Sequence, residues 1–154
     1  MKNIKIIIPA RLGSSRFYAK PLKNILGIPL VIRVAKICQK ALKKQNIFIA
    51  TDSVKIAKIA SNYGFKSIMT KKNNLTGTDR VAEASLKVKG DIFINVQGDE
   101  PLILASDIKK IIKQKVLNFN KVVCGFCVIQ KKEDPNKNSI PKVVLNEKNE
   151  LIYI

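Results

Sequence analysis

The sequence predicts an α/β fold in which helices flank a mostly parallel sheet and the chain ends in a partial β-hairpin. One observation behind this prediction is that short apolar runs alternate with segments whose apolar residues recur at helical spacing. A second is that the runs are apolar at nearly every position, as in parallel strands that are covered on both faces. A third is the length of 154 residues, which suits one domain, predicted over residues 1–154.

Five apolar runs predict the strands. They are rich in Ile, Val and Phe, the residue types that favour strands. In chain order they are residues 4–8, 46–50, 65–69, 91–96 and 121–129. Near the end of the chain, KVVL and ELIYI flank the turn-forming Asn-Glu-Lys-Asn, which predicts the hairpin.

Four segments between these strands predict helices. In residues 30–44 the apolar positions recur at helical spacing with lysines between them, and Gly64 is a typical helix end. The helices are expected to begin near Pro29, at Asp52 or Ser53, at Thr78 and at Ser106. Asp52 is interpreted here as a helix cap.

The charge of +18 is interpreted as a solvated surface. Of the 29 cations only four are arginine, and the lysines are scattered over helix faces and turns, so we do not expect a nucleic-acid partner. Three arginines, Arg11, Arg16 and Arg80, lie in loops, where a planar guanidinium suits phosphate or a base edge. The apolar runs are too short to cross a membrane and no signal peptide is visible, so we expect a cytoplasmic protein.

The cysteines do not predict a disulfide framework or a metal site. Cys124 and Cys127 form a single C-x-x-C within the predicted strand 121–129, and we expect them to be buried apolar residues. The chain has no histidine, which excludes a histidine general base or metal ligand.

A long connection follows the first predicted strand. Residues 10–27 are far longer than a typical strand-to-helix loop, and such loops are often functional. Its residues suited to a polyphosphate are Arg11, Gly13, Ser14, Ser15, Arg16 and Lys20. The glycine spacing fits neither a Walker A loop nor G-x-G-x-x-G. The alternative is an ordinary basic surface loop.

Two other segments follow strands and carry polar side chains. NVQGDEPLI, residues 95–103, presents Asp99 and Glu100 at the sheet edge, where hard oxygen ligands beside a polyphosphate suit Mg²⁺; the alternative is an exposed acidic turn. TGTDRVAEA, residues 76–84, starts a helix. Thr78 and Asp79 could simply cap it, but Arg80 opposes the helix dipole, which suggests another role.

IPARLGSSRFYAKPL, TGTDRVAEA and NVQGDEPLI, in this order and spacing, closely resemble the 3-deoxy-D-manno-octulosonate cytidylyltransferases. Sialic-acid cytidylyltransferases share the opening pattern and are the related alternative. The chain departs mildly from the family, with Asp79 where Glu is common and FYAK where FPGK is common. The resemblance implies a Rossmann-like sheet of the nucleotide-diphospho-sugar transferase type.

The resemblance also implies roles for the site residues. Arg11, Ser14, Arg16 and Lys20 would grip the CTP phosphates, with Gly13 and Ser15 in the same loop. Arg80 and the backbone at Ala10 would help to read cytosine and ribose. Gln97 would lie between nucleotide and sugar, and Asp99 would hold Mg²⁺. The residues implied in catalysis are Arg16, Lys20, Gln97 and Asp99.

The implied reaction transfers CMP from CTP to 3-deoxy-D-manno-octulosonate, releases pyrophosphate and feeds lipopolysaccharide biosynthesis. The resemblance further implies a homodimer. Family members continue beyond residue 154 with most of the sugar-acid pocket, a second metal carboxylate and much of the dimer interface. We therefore expect a chain truncated at its C-terminus, and the alternative function is a non-catalytic CTP-binding domain.

Overall fold

The computed structural model describes residues 2–13, 18–130, 133–137 and 140–153. Over these residues the strands are β1 (Ile4–Ala10), β2 (Asn24–Ile25), β3 (Ile28–Pro29), β4 (Ile47–Thr51), β5 (Lys66–Met69), β6 (Ile92–Asn95), β7 (Val144–Leu145) and β8 (Leu151–Tyr153). The α-helices are α1 (Leu30–Gln39), α2 (Val54–Asn62), α3 (Gly77–Ser85) and α4 (Ala105–Leu117). Short 3-10 helices span Lys20–Leu22 and Lys44–Asn46. The chain divides into two compact units, Met1–Val123 and Cys124–Ile154.

The first unit is built on a parallel sheet. Among the described residues its strands lie in the order β5-β4-β1-β6, with every pairing parallel. Because β4 and β5 lie on one side of β1 and β6 on the other, the chain reverses direction across the sheet between β1 and β6. The predicted fold class, a Rossmann-like parallel sheet flanked by helices, is confirmed.

The two faces of the sheet bury different clusters. Alternate residues of β1 point to opposite sides, so Ile6 and Ile8 join one cluster and Ile7 joins the other. The first cluster is covered by α1, α2 and α4, and the second by α3 through Val81 and Ala84. This two-sided burial explains the nearly continuous apolar runs of β1 and β4.

The connection between β1 and α1 is more structured than an open loop. After the 3-10 helix Lys20–Leu22 it forms the β2–β3 hairpin, whose two turn residues, Leu26 and Gly27, have φ of 49° and 75°. Two consecutive positive φ angles are typical of a type I′ turn, which matches the twist of paired strands. The hairpin leads directly into α1, which begins at Leu30 as predicted and ends at Gln39.

Two predicted helix starts were wrong. Helix α3 is capped by Thr76 instead of Thr78, because the side chain of Thr76 accepts from the Asp79 N–H while Asp79 accepts from the Thr76 N–H. Helix α4 begins at Ala105 after Leu104, without a side-chain cap, so Ser106 lies inside its first turn. At α2 the cap is Ser53, whose Oγ accepts from the Ile56 N–H at 3.4 Å.

The predicted strand 121–129 is absent. Residues 122–130 adopt no helix or strand, and none of the pairings among the described residues involves them. Apolar composition favours a strand, but a strand also needs a neighbour that accepts its backbone hydrogen bonds. The prediction that Cys124 and Cys127 are buried was wrong for the same reason, since both side chains are exposed.

The second unit contains the predicted hairpin. Strands β7 and β8 pair antiparallel, and Asn149 takes a positive φ of 57° in the turn between them. The Asn146 side chain accepts from the N–H groups of Lys148 and Glu150, which fixes the turn. Across the residues that the structure describes, no helix is long and apolar enough to span a membrane.

Candidate functional site

The predicted site residues follow strands that end at one edge of the sheet. β1 ends at Ala10 and leads into Arg11, while β6 ends at Asn95 and leads into Gln97 and Asp99. β1 and β6 are adjacent and parallel, so these segments leave the sheet side by side. In open α/β sheets the crevice at this reversal of strand order is the usual ligand site.

Gly98 brings the segment after β6 against β1. A Cβ at this position would lie 2.6 Å from the Pro9 carbonyl oxygen and 3.3 Å from Ile8 Cγ2. The first of these atoms belongs to the backbone and has little freedom to move. Glycine is therefore required at 98 for close packing, and this packing fixes where the next residue, Asp99, leaves the sheet.

Lys20 and Asp99 form an ion pair across the crevice. Lys20 Nζ donates to Asp99 Oδ2 at 2.7 Å, although the residues are 79 positions apart. The two side chains are 41% and 48% exposed, so both remain accessible to a ligand. Lys20 is brought back over the sheet edge because the Ala19 N–H donates to the Leu12 carbonyl at 3.0 Å, with Ala19 in the left-handed region.

The rest of the predicted phosphate loop is only partly described. Arg11 and Gly13 are exposed, and Ala10 is buried where β1 pairs with Thr51 of β4. A Cβ on Gly13 would meet nothing within 4 Å, so no steric reason for glycine is visible there. Ser14, Ser15 and Arg16 lie outside the described residues, and their roles stay predictions.

Gln97 lies between the β6 segment and the start of α3. A Cβ on Gly77, the first residue of α3, would be 2.8 Å from Gln97 Oε1 and 3.3 Å from Pro9 Cγ. Gln97 Nε2 also donates to Asn95 Oδ1 at 3.3 Å. The N-terminus of α3, the end of β1 and Gln97 therefore meet at the same edge that carries Lys20 and Asp99.

Arg80 is buried and bonded within the protein. It is 2% exposed; Nη1 donates to Thr70 Oγ1 and to the Lys71 carbonyl at 3.3 Å, and Nη2 donates to Asp52 Oδ2 at 3.2 Å. In the described structure its guanidinium thus links the ends of β4 and β5 to α3. Its predicted role in reading cytosine stays a prediction. The interpretation of Asp52 as a helix cap was wrong, because Ser53 caps α2 and Asp52 pairs with Arg80.

Glu83 orders the segment between β5 and α3, and sequence reasoning did not find it. Its carboxylate accepts from Lys87 Nζ at 2.7 Å, from Asn74 Nδ2 at 2.8 Å and from the Lys71 N–H at 2.9 Å. These bonds, led by those from Lys87 and Asn74, lower the pKa of Glu83 to about 2. The four-residue spacing between Glu83 and Lys87 was visible in the sequence, but the contact of Glu83 with the loop was not.

Acidic side chains at the site are few. Asp99 and Glu100 are adjacent and exposed at the sheet edge. Within the described ranges, no group of three or more Asp, Glu, Cys or His side chains is close enough to hold a metal ion. A cation bound to Asp99 would therefore take further ligands from a substrate or from other oxygen atoms.

Comparison with known proteins shows to which family the chain belongs. A protein-family model described as cytidylyltransferase matches residues 5–154, nearly the whole chain. The chain belongs to the cytidylyltransferase family. Membership agrees with the resemblance carried by the segments around Arg11, Arg80 and Asp99.

Curated relatives agree with the branch predicted from the sequence. A 3-deoxy-manno-octulosonate cytidylyltransferase of Francisella philomiragia is 39% identical over 158 residues, covering 99% of this chain and 62% of the relative. One from Nitratiruptor sp. is 41% identical over 157 residues, covering 96% of this chain and 63% of the relative. The chain therefore spans a little under two thirds of the length of these relatives.

Solved structures share the fold. A CMP:2-keto-3-deoxy-manno-octonic acid synthetase complexed with CTP matches with a TM-score of 0.78 and 30% identity, over 98% of this chain and 63% of that one. A cytidylyltransferase from Leptospira borgpetersenii matches with a TM-score of 0.67 at 21% identity, over 77% of this chain and 50% of that one, which supports the fold alone.

Proposed function

We propose that this chain is the CTP-binding part of a cytidylyltransferase that transfers CMP from CTP to 3-deoxy-D-manno-octulosonate. The observation that carries the proposal is the Lys20–Asp99 pair at the crevice between β1 and β6. A cation for phosphate beside a carboxylate for a metal ion is the combination that nucleotidyl transfer requires. Family membership and the names of the relatives support the choice of CTP and of this sugar acid.

In the proposed reaction the anomeric hydroxyl of the sugar acid attacks the α-phosphorus of CTP. The hydroxyl proton passes to the solvent, the bond from the α-phosphorus to the oxygen bridging it to the β-phosphate breaks, and pyrophosphate leaves with the electron pair of that bond. Arg11, Arg16 and Lys20 neutralise phosphate charge, and Ser14 and Ser15 of the same loop donate hydrogen bonds to the phosphate oxygens. Catalysis then comes mainly from positioning and charge neutralisation.

The proposed cofactor is Mg²⁺, held by Asp99. An exposed carboxylate next to the cation that faces the phosphates suits an ion that binds one or two carboxylates plus substrate phosphates. When bound, Mg²⁺ supplies further neutralisation of the phosphate charge. Gln97, which lies beside Asp99 and against the start of α3, is proposed to lie between the nucleotide and the sugar.

The acceptor half of the reaction distinguishes two candidate functions. The chain spans about 62% of its curated relatives, so a CTP-binding unit without turnover is the second candidate. A homodimer and a cytoplasmic role in lipopolysaccharide biosynthesis remain proposals that rest on the family resemblance. Light scattering of the purified chain measures the oligomeric state directly.

Calorimetric titration with CTP, UTP and ATP in the presence of Mg²⁺ tests the nucleotide assignment. We expect CTP to bind most tightly, and we expect Arg11→Ala to weaken binding while Lys109→Ala, an exposed lysine on α4, does not. Equal affinity for CTP and ATP would refute the assignment. A pyrophosphate-release assay with CTP and 3-deoxy-D-manno-octulosonate then separates the two candidates, because only the transferase releases pyrophosphate.

A further inference from the structure

The C-x-x-C sequence at residues 124–127 is not used by the proposed reaction. Both of its cysteines are free and exposed, and they lie in the unit Cys124–Ile154. Residues 122–130 adopt neither helix nor strand, and within the described ranges no backbone–backbone hydrogen bond involves residues 122–129. Both thiols are therefore open to reagents in solution, and no hydrogen-bonded helix or strand holds them apart.

The absence of a strand here matters because a strand would keep the two sulfur atoms apart. In a strand, residues three positions apart point to opposite faces and lie about 10 Å from each other along the chain. A disulfide needs Cα atoms roughly 4.4–6.8 Å apart, which a turn provides. Gly125 lies between the two cysteines, and glycine adopts turn conformations without steric cost. The segment can therefore close a bond that the predicted strand would have excluded.

We propose that Cys124 and Cys127 are a redox-sensitive dithiol, which a small disulfide such as oxidised glutathione converts to an intramolecular disulfide. In a reducing compartment such bonds are usually transient and respond to the redox state. Once formed, the disulfide excludes residues 124–127 from any strand, so oxidation fixes the segment in its unpaired conformation. The inference goes beyond the proposed transfer reaction and does not rest on it.

The exchange takes place in two steps. One cysteine thiolate attacks a sulfur atom of the small disulfide, whose S–S bond breaks, and one small thiolate leaves with the electron pair. The second cysteine thiolate then attacks the cysteine sulfur of the mixed disulfide and releases the other small thiolate. The two protons lost by the cysteines are taken up by the two small thiolates. The protein dithiol is thus oxidised to a disulfide, and the small disulfide is reduced to two thiols.

Cys38, the third cysteine of the chain, provides an internal control. It lies in α1, and its side chain is 0% exposed. Burial raises the pKa of the Cys38 thiol to about 12, so little of the reactive thiolate is present near neutral pH. We therefore expect Cys38 to stay reduced under conditions that oxidise the exposed pair.

The test equilibrates the full chain with mixtures of oxidised and reduced glutathione, then quenches with acid, alkylates the remaining thiols and identifies the products by mass spectrometry. Trypsin leaves both cysteines of the motif in one peptide, residues 122–131. Cys124→Ser and Cys127→Ser are the matched controls, because each keeps one exposed thiol and removes its partner. Each mixture is also diluted at a constant ratio of oxidised to reduced glutathione.

Dilution separates the two possible products. An intramolecular disulfide releases two molecules of reduced glutathione, so its ratio to the dithiol should rise about tenfold when total glutathione falls tenfold. A mixed disulfide releases one molecule, so its yield depends only on the ratio of oxidised to reduced glutathione. We expect the first behaviour for the wild-type chain and the second for both single variants.

In the wild-type chain we expect the peptide 122–131 to be lighter by two hydrogen atoms, and Cys38 to be alkylated only after the protein is unfolded. The serine variants should carry only a glutathione adduct on the remaining exposed cysteine. A wild-type chain that keeps both thiols in oxidised glutathione would overturn the inference. Adducts on both cysteines without an internal bond, or disulfides that join two chains, would overturn it as well.

Discussion

Removing the Asp99 carboxylate should strengthen the binding of metal-free pyrophosphate. Lys20 Nζ is bonded to Asp99 Oδ2 at 2.7 Å, so the Asp99 carboxylate offsets the positive charge that a phosphate oxygen would meet there. Both side chains are nearly half exposed, and such ion pairs contribute about 0.2–1 kcal/mol after screening by solvent. Asp99→Asn should therefore tighten binding by about 1.4- to 5-fold.

The assay is titration with pyrophosphate in the presence of a chelator at low ionic strength. Glu100→Gln is the matched control, because it removes an adjacent exposed carboxylate of the same charge. The gain should also vanish in a Lys20→Met background, where Asp99 no longer has this partner. With Mg²⁺ present the sign should reverse, since Asp99→Asn loses the proposed metal ligand. An equal gain from Glu100→Gln, or a gain that persists without Lys20, would refute the pairing argument.

Three further predictions concern the packing and acid stability of the site. Gly98→Ala should cost about 1–3 kcal/mol through its clash with backbone, and lower the melting temperature by about 2–4 °C per kcal/mol, whereas Gly13→Ala should leave it nearly unchanged. Gly77→Ala should displace Gln97 and so lower CTP affinity, as calorimetry can measure. The pKa of Glu83 is lowered from 4.5 to about 2, so its bonds stabilise the fold above pH 4.5 and lose that effect as the pH falls toward 2; Glu83→Gln should flatten this part of the stability profile in acid melts.

The fold class could be predicted because burial leaves a local signal. A strand covered on both faces, such as β1, reads as a continuous apolar run, and α1 shows its buried face through helical spacing. The sheet edge that carries the candidate site could be predicted from the same apolar runs, because the carboxyl ends of parallel strands share one edge. These predictions needed no information beyond neighbouring residues.

The contacts of the site could not be predicted in the same way. That Asp52 pairs with Arg80, 28 positions away, depends on β4 lying next to β5 and on α3 crossing back over the sheet. Asp52 and Ser53 are both good N-caps; in the structure Ser53 caps α2, while Asp52 is bonded to this distant arginine. A cation such as Arg80 near a helix N-terminus is opposed by the helix dipole, and for this reason we expected Arg80 to have another role. In the structure its charge is balanced by the carboxylate of Asp52, a residue of the same chain.

The strand predicted at residues 121–129 shows that apolar composition alone is not enough to predict a strand. Its residues are about as apolar as those of β4, yet Val122, Phe126 and Val128 are exposed, at 91%, 59% and 85%. A helix satisfies its own backbone, so α1 and α2 could be predicted from their own residues, whereas a strand depends on a neighbour that its sequence does not specify.

The charge of the whole chain says little about how the site selects its ligand. Among the described cations predicted to contact the nucleotide, Lys20 is paired with Asp99 and Arg80 with Asp52, so their charges are already balanced within the protein. In each pair the carboxylate offsets the attraction that the cation offers to a polyanion near the +18 surface. Lys20 is half exposed and can exchange Asp99 for a phosphate when a metal ion takes the carboxylate, while Arg80 is buried and keeps its partner. On this argument we expect the exchangeable Lys20–Asp99 pair to favour a metal-bound polyphosphate, whereas the Arg80–Asp52 pair keeps its bonds within the protein.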